Sequence, residues 1–145
     1  MTEGNASTGT WEREDVFPSI YGRGADLVED VLQIMTAKEW SQRDIFAVNL
    51  ALVEAITNAI DHGNACDPQK NVFVSCRISN DLVKMSVRDE GPGFNKESLP
   101  DPRNEERLDC PTGRGVLLIY GFMTKVWFND PGNELFMEKV RTEEV

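Results

Sequence analysis

Asn71 to Ile78 (NVFVSCRI) and Leu82 to Arg88 (LVKMSVR) each alternate apolar and polar positions, with only Ser79-Asn80-Asp81 between them. Alternation of period two around a run of turn residues predicts two neighbouring strands joined as a hairpin. Arg77 and Lys84 interrupt the apolar positions on one side. One face of the hairpin therefore meets water, and the other needs helices to cover it.

The covering elements are legible on both sides of the hairpin. Leu27, Val28, Val31, Leu32 and Met35 recur at i, i+3, i+4 and i+7, which predicts a helix over about Ala25 to Lys38. Ser41 stands as an N-cap with Asp44 three residues on, an acidic variant of the capping box. The helix after it is expected from about Gln42 to His62, with Gly63 as its C′ residue. Trp11 to Phe17, closed by Pro18, forms a first strand, Gly113 to Phe122 a last helix, and Val126 to Phe128 with Glu134 to Val140 a closing hairpin. Helices gathered on one face of a sheet make an α+β two-layer sandwich, with a mixed, mostly antiparallel sheet. At 145 residues this is one domain, expected over residues 15–145 behind a flexible tail of residues 1–14. The stretch from Asn95 to Thr112, rich in charge and proline, is too long for a plain connection and is expected to be functional or disordered.

Composition removes several classes of function. A net charge of −10 argues against a nucleic-acid partner, because phosphate backbones are bound by clustered Lys and Arg. No continuous apolar run approaches the roughly 20 residues of a membrane span. The first residues, MTEGNASTGTWERED, lack the basic start and apolar core of a secretory signal. Cys66, Cys76 and Cys110 are scattered and odd in number, so a disulfide framework or zinc cluster is not expected, and a reducing cytoplasm is the natural compartment.

Within VEAITNAIDHGN, residues 53–64, a second polar direction breaks the amphipathic pattern. At about 100° per residue, Glu54, Asn58 and Asp61 fall within roughly a 60° wedge, with His62 at its edge. A solvated helix face gives the same pattern. Two glycine clusters bracket the long connection: Asp89-Glu90-Gly91-Pro92-Gly93-Phe94 directly after a strand, and Gly113-Arg114-Gly115 directly before a helix. Glycine lets a ligand approach the main chain. A glycine turn feeding a helix start offers unpaired N–H groups and the positive end of the dipole, which suit phosphate, and Arg114 adds a full charge there. A plain turn accounts for GRG taken alone. Neither a Walker A lysine motif nor a GxGxxG fingerprint is present.

Taken in order, the polar helix face, DEGPGF after a strand, a long connection and GRG before a helix resemble the ATP-binding fold of the GHKL superfamily. VEAITNAIDHG resembles its N box, DEGPGF its first glycine box and GRG its second, over about residues 15 to 141. The subgroup this chain resembles is that of the anti-sigma-factor serine/threonine kinases, in its length and in the phrase EAxTNAxxHG. One departure is Asn133, near the third glycine box at Gly132-Asn133-Glu134, where a Thr or Ser is often found.

That resemblance implies ATP and Mg²⁺ as the ligands, with Asn58 offering its side-chain oxygen to the metal. It implies Glu54, one turn earlier, as the catalytic base that accepts the proton of an attacking hydroxyl. By the same resemblance Asp89 hydrogen-bonds the adenine amino group, and Gly91 and Gly93 let base and ribose lie against the backbone. Gly113, Arg114, Gly115 and Val116 hold phosphates. His62 contacts ribose or phosphate, or else closes the helix end; Asp61 belongs to solvent or to a neighbouring ion pair. Residues 95–112 form a lid over bound nucleotide, with Arg107 as a γ-phosphate contact or a solvated charge. The implied activity is phosphorylation of a serine on a small antagonist protein, with a sigma factor sequestered by the unengaged form and a homodimer as the assembly. A module that holds nucleotide and sequesters a partner without turnover fits the same residues. A detached histidine-kinase domain fits poorly, since His62 is the only histidine and sits in the proposed site. A zinc hydrolase on Glu54, Asn58 and His62 lacks the histidines such sites prefer.

Overall fold

The computed structural model describes residues 9–93 and 111–142, with residues 111–114 as backbone alone. The elements are β1 (Trp11–Pro18), α1 (Ala25–Ala37), α2 (Gln42–Asn58) continued by a π-helical turn (Ala59–Gly63), β2 (Asn71–Ile78), β3 (Leu82–Arg88), α3 (Pro111–Phe122), β4 (Lys125–Phe128) and β5 (Glu134–Val140). The strands form one five-stranded sheet in the order β1-β2-β3-β5-β4. All four pairings are antiparallel among the described residues. The result is the expected α+β sandwich.

The alternation of β2 and β3 decides which face is covered. Val72, Val74, Cys76 and Ile78 of β2 and Val83, Met85 and Val87 of β3 point into a single core with Leu27, Val31 and Met35 of α1, Val48 and Leu52 of α2, and Ile119 of α3. On the open face the register sets Glu12, Arg77, Lys84 and Glu138 in one row across four strands. The two cations are neighbours, but each has an acid outside it: Arg77 Nε lies 2.9 Å from Glu12 and Lys84 Nζ 3.9 Å from Glu138. Opposite charges at the ends offset the like-charge pair in the middle.

Two expectations change and one is qualified. The strand begins at Trp11, itself only 5% exposed, so residues 11–14 belong to the sheet and the tail cannot extend to residue 14. Pairing of Trp11 with Ile78 on a buried face outweighs the polarity of the intervening Glu12 and Glu14, which face outward. The helical run Gln42–Gly63 is 22 residues, and its most apolar 18-residue window has mean hydropathy 1.2, long and apolar enough to cross a membrane by length and composition alone, although no continuous apolar run in it reaches that length. Half of its most apolar window is buried inside the fold, as befits the core helix of the sandwich. Lastly, Ser41 does cap α2, accepting from Asp44 N at 3.1 Å, but the Asp44 carboxylate turns to the end of β5 instead of back to the cap.

Candidate functional site

A cavity of about 250 Å³ lies between the end of α2, the start of α3 and the β3–β5 side of the sheet. Val87, Val116 and Leu135 give it apolar walls, each 7% exposed or less. Asn58 and His62 reach it from the helix, Asp89 and Gly93 from the turn after β3, and Gly132, Asn133 and Glu134 from the turn before β5. An apolar slot with a few converging polar groups is the usual form of a small-molecule site.

The helix arrives at this cavity in an unusual way. After Asn58 the backbone winds i→i+5, with Asn64 N donating to Ala59 O at 2.8 Å, and Cys66 N closes the turn on Ile60 O, six residues back, at 2.7 Å. Such single π turns are rare and concentrate at functional sites. The wedge drawn at 100° per residue therefore ends at Asn58. Of its members Asn58 and His62 line the cavity; Glu54 and Asp61 do not. Glu54 is half-buried one turn before Asn58. Asp61 accepts from the Cys66 thiol at 3.5 Å, neither purely solvated nor in an ion pair among the described residues.

The sequence predicts Gly63 as the left-handed C′ residue that ends the helix. Its φ is not positive; the left-handed positions are Ala65 and Cys66 beyond it. The need for glycine is steric. A Cβ at residue 63 would stand 2.1 Å from Asp89 Oδ2, so the carboxylate rests on the bare backbone of the π turn. Gly91 is held the same way, its missing Cβ falling 2.0 Å from Gly63 O. Gly93 has φ +80°, a conformation that favours glycine. Gly115 marks the other close approach: a Cβ there would lie 2.7 Å from Asn58 Nδ2, so the carboxamide of α2 sits on the backbone of α3.

Asp89 is half-buried. Its carboxylate accepts from Gly91 N at 2.7 Å, while its backbone N–H donates to Asn133 O at 2.9 Å. Burial pushes this carboxyl above its ordinary pKa, against the Gly91 hydrogen bond and the charges of Arg88 and Lys70, which favour ionisation. Asn133, the departure noted in the sequence, donates its side-chain amide to Asp89 O at 3.4 Å.

The helix α3 starts at Pro111, so Gly113 and Arg114 occupy its first turn instead of a loop ahead of it. Proline has the φ of a first turn and no N–H to leave unpaired, which draws the start forward. Residues 95–110 of the expected lid, with Arg107, lie outside the described residues; 111 and 112 begin α3. Gly63, Val87 and Leu135 are site residues that the sequence does not single out. Gly63 carries a signal, a glycine after NAIDH, but one that capping explains equally well. Val87 and Leu135 carry none that separates a cavity wall from ordinary core.

The model of the histidine kinase-like ATPase domain matches residues 23–139. This chain belongs to that family. Within it, this histidine kinase-like ATPase domain is 31% identical over 97 residues to an anti-sigma F factor of Clostridium perfringens, covering 63% of this chain and 69% of that one. It is 33% identical over 85 residues to an anti-sigma F factor of Geobacillus thermodenitrificans, covering 57% and 58%. A crystal structure of the RsbU and RsbW domains of a Mycobacterium tuberculosis protein superposes on 90% of this chain with a TM-score of 0.60 and 13% identity. That likeness is one of fold, and this chain spans 32% of that longer one. The relatives place the chain with the anti-sigma members of the GHKL superfamily.

Membership of an ATPase-domain family implies ATP as a ligand. Gly63→Ala is therefore expected to weaken ATP binding about tenfold or more, because the new methyl displaces Asp89. The residue's φ suits alanine, so circular dichroism should show the fold retained; calorimetric titration with ATP checks the loss.

Proposed function

We propose that this protein is an ATP-dependent serine/threonine protein kinase that acts as an anti-sigma factor and partner-switching regulator, phosphorylating a small antagonist protein. The observation carrying this reading is the seating of the Asn58 carboxamide on the backbone of Gly115, beside a cavity that Asp89 also lines. A polar helix face and the start of a second helix converge there, as a nucleotide's phosphates require.

The residues fit Mg²⁺ and ATP in kind. No group of three or more His, Cys, Asp or Glu that could hold a metal occurs among the described residues, and Asn58 offers one carboxamide oxygen. Magnesium keeps waters and phosphate oxygens as most of its ligands, so one protein oxygen suffices. Bound there it would neutralise charge on the phosphates. Asn58 would hold it; the first turn of α3, with Gly113 and Arg114, would present unpaired N–H groups to phosphate oxygens, and Gly115 and Val116 follow directly on the same helix beside the phosphates. Asp89 accepts from the adenine amino group, Gly91 and Gly93 keep the backbone open to base and ribose, and His62 contacts ribose or phosphate.

In transfer, a serine or threonine oxygen attacks the γ-phosphorus, the bond to the β-bridging oxygen breaks, and ADP leaves. Glu54, four residues before Asn58 on one helix face, takes the hydroxyl proton. The anti-sigma names of the relatives support a sigma factor as a partner; the antagonist, a homodimer as the assembly and the cytoplasm as the place of action complete the reading. The second reading, binding and sequestration without turnover, has one observation in its favour: Glu54 is absent from the cavity wall.

A phosphotransfer assay with labelled ATP and the cognate antagonist separates the two. Glu54→Gln is expected to bind ATP within about twofold of wild type yet transfer phosphate at least ~100-fold more slowly. Equal transfer by both proteins removes Glu54 as the base. No transfer by wild type, with ATP bound, favours the sequestering module.

A further inference from the structure

We infer that Asn64, which lies behind the cavity and touches no ligand, is a positioning residue that sets the base selectivity of the nucleotide site by fixing the Asp89–Glu90 peptide. The inference deepens the nucleotide-binding reading and rests on it.

Asn64 comes directly after the π turn and is 1% exposed. Its side chain makes three hydrogen bonds to three separate elements. Nδ2 donates to Ser19 Oγ at 2.8 Å, beyond the end of β1, and to Asn71 O at 2.9 Å, at the start of β2. Oδ1 accepts from Glu90 N at 2.7 Å, in the turn after β3. A carbonyl on one side and an N–H on the other permit only one orientation of the amide. No aliphatic or acidic side chain of this size supplies the same two donors and one acceptor.

The Glu90 N–H and the Asp89 C=O belong to one peptide unit. Asn64 accepts from its N–H and Asn133 donates to its C=O, so that peptide is gripped from both faces. Its orientation fixes the backbone on which the Asp89 carboxylate is mounted. Asp89 must stand within a fraction of an ångström of its place, since Gly63 lies directly against it. Adenine offers an exocyclic N–H₂ where guanine offers a carbonyl oxygen. A well-placed carboxylate accepts from the first and repels the second. Release of the Glu90 N–H lets the peptide rotate and carries the carboxylate out of register, with the phosphate contacts on α3 untouched.

The test compares dissociation constants for Mg·ATP and Mg·GTP by calorimetry, with thermal melts alongside. Asn64→Ala and Asn64→Ser are expected to lose about tenfold or more of the preference for ATP, mainly through weaker ATP binding. Asn64→Asp keeps the acceptor for Glu90 N–H and should hold the preference within about threefold. Ser19→Ala removes a bond on the far side of the same network, so it should lower the melting temperature and leave the preference unchanged. If Asn64→Ala is too unstable to titrate, Asn64→Ser carries the comparison. Overturning results are an ATP preference kept by both short variants, or lost equally in Ser19→Ala, which would make Asn64 merely structural. If wild type binds neither nucleotide, the nucleotide site itself falls, and this inference with it.

Discussion

Asp89→Asn is expected to weaken Mg·ATP binding about tenfold or more at neutral pH while leaving the fold as stable as wild type or more so. Both halves come from the same carboxylate. Burial raises its pKa, so ionisation is disfavoured in the folded chain relative to the unfolded one. Such a group lends stability below its unfolded pKa and loses that contribution as pH rises through the higher folded value. At neutral pH the contribution is gone, and the neutral amide avoids the cost. The amide oxygen still accepts from Gly91 N, so the turn is kept. What it cannot reproduce is a full negative charge facing the adenine amino group. For wild type, ATP affinity should fall on acidification at a pH above the ordinary aspartate range, as Asp89 takes up its proton. Binding isotherms and thermal melts at neutral and mildly acidic pH check each part.

Asp44→Ala is expected to lower stability by about 3 kcal/mol at neutral pH without altering nucleotide affinity. Asp44 is fully buried in the first turn of α2. Its carboxylate accepts from Thr142 N at 2.9 Å and Thr142 Oγ1 at 2.7 Å, with Lys139 Nζ at 3.8 Å. Burial alone would raise its pKa; the Thr142 hydrogen bonds, Lys139 and Ser41 together outweigh it and hold the pKa below the ordinary range. The sign is thus opposite to that of Asp89. The stabilisation is present above the unfolded pKa and is lost as pH falls through the lowered folded value. Truncation leaves the half-buried Lys139 ammonium and the exposed Thr142 without their acceptor and frees the segment after β5. Asn58 lies 14 residues further along the same helix, about 20 Å away along the axis, so the cavity should not feel the change. Urea melts at neutral pH should show the deficit, and it should shrink under strongly acidic conditions.

The two carboxylates also show where sequence reasoning reaches and where it stops. Ser41 and Asp44 are recognisable as a helix start because capping is local, settled within four residues. The destination of the Asp44 carboxylate, 98 residues away, is not local and leaves no trace in the sequence. Strands β2 and β3 are legible because burial on one face imposes a period of two along the chain. The inward break after Asn58 is not, since a π turn is enforced by Asp89 packing on Gly63 and Asn64 binding three other elements. The glycine clusters do coincide with close backbone approaches, at Gly93 against Pro131 and at Gly115 against Asn58. Gly63 is misleading because an end-of-helix glycine and a close-approach glycine look identical until the partner carboxylate is known.

Binding of a nucleotide between the end of α2 and the start of α3 underlies every functional step above. Isothermal titration of the wild-type protein with ATP in the presence of Mg²⁺ tests this most directly. The expected result is saturable binding of one nucleotide per chain, weakened when Asn58→Ala removes the carboxamide seated on Gly115. An absence of binding heat up to millimolar nucleotide, across more than one temperature, would contradict it.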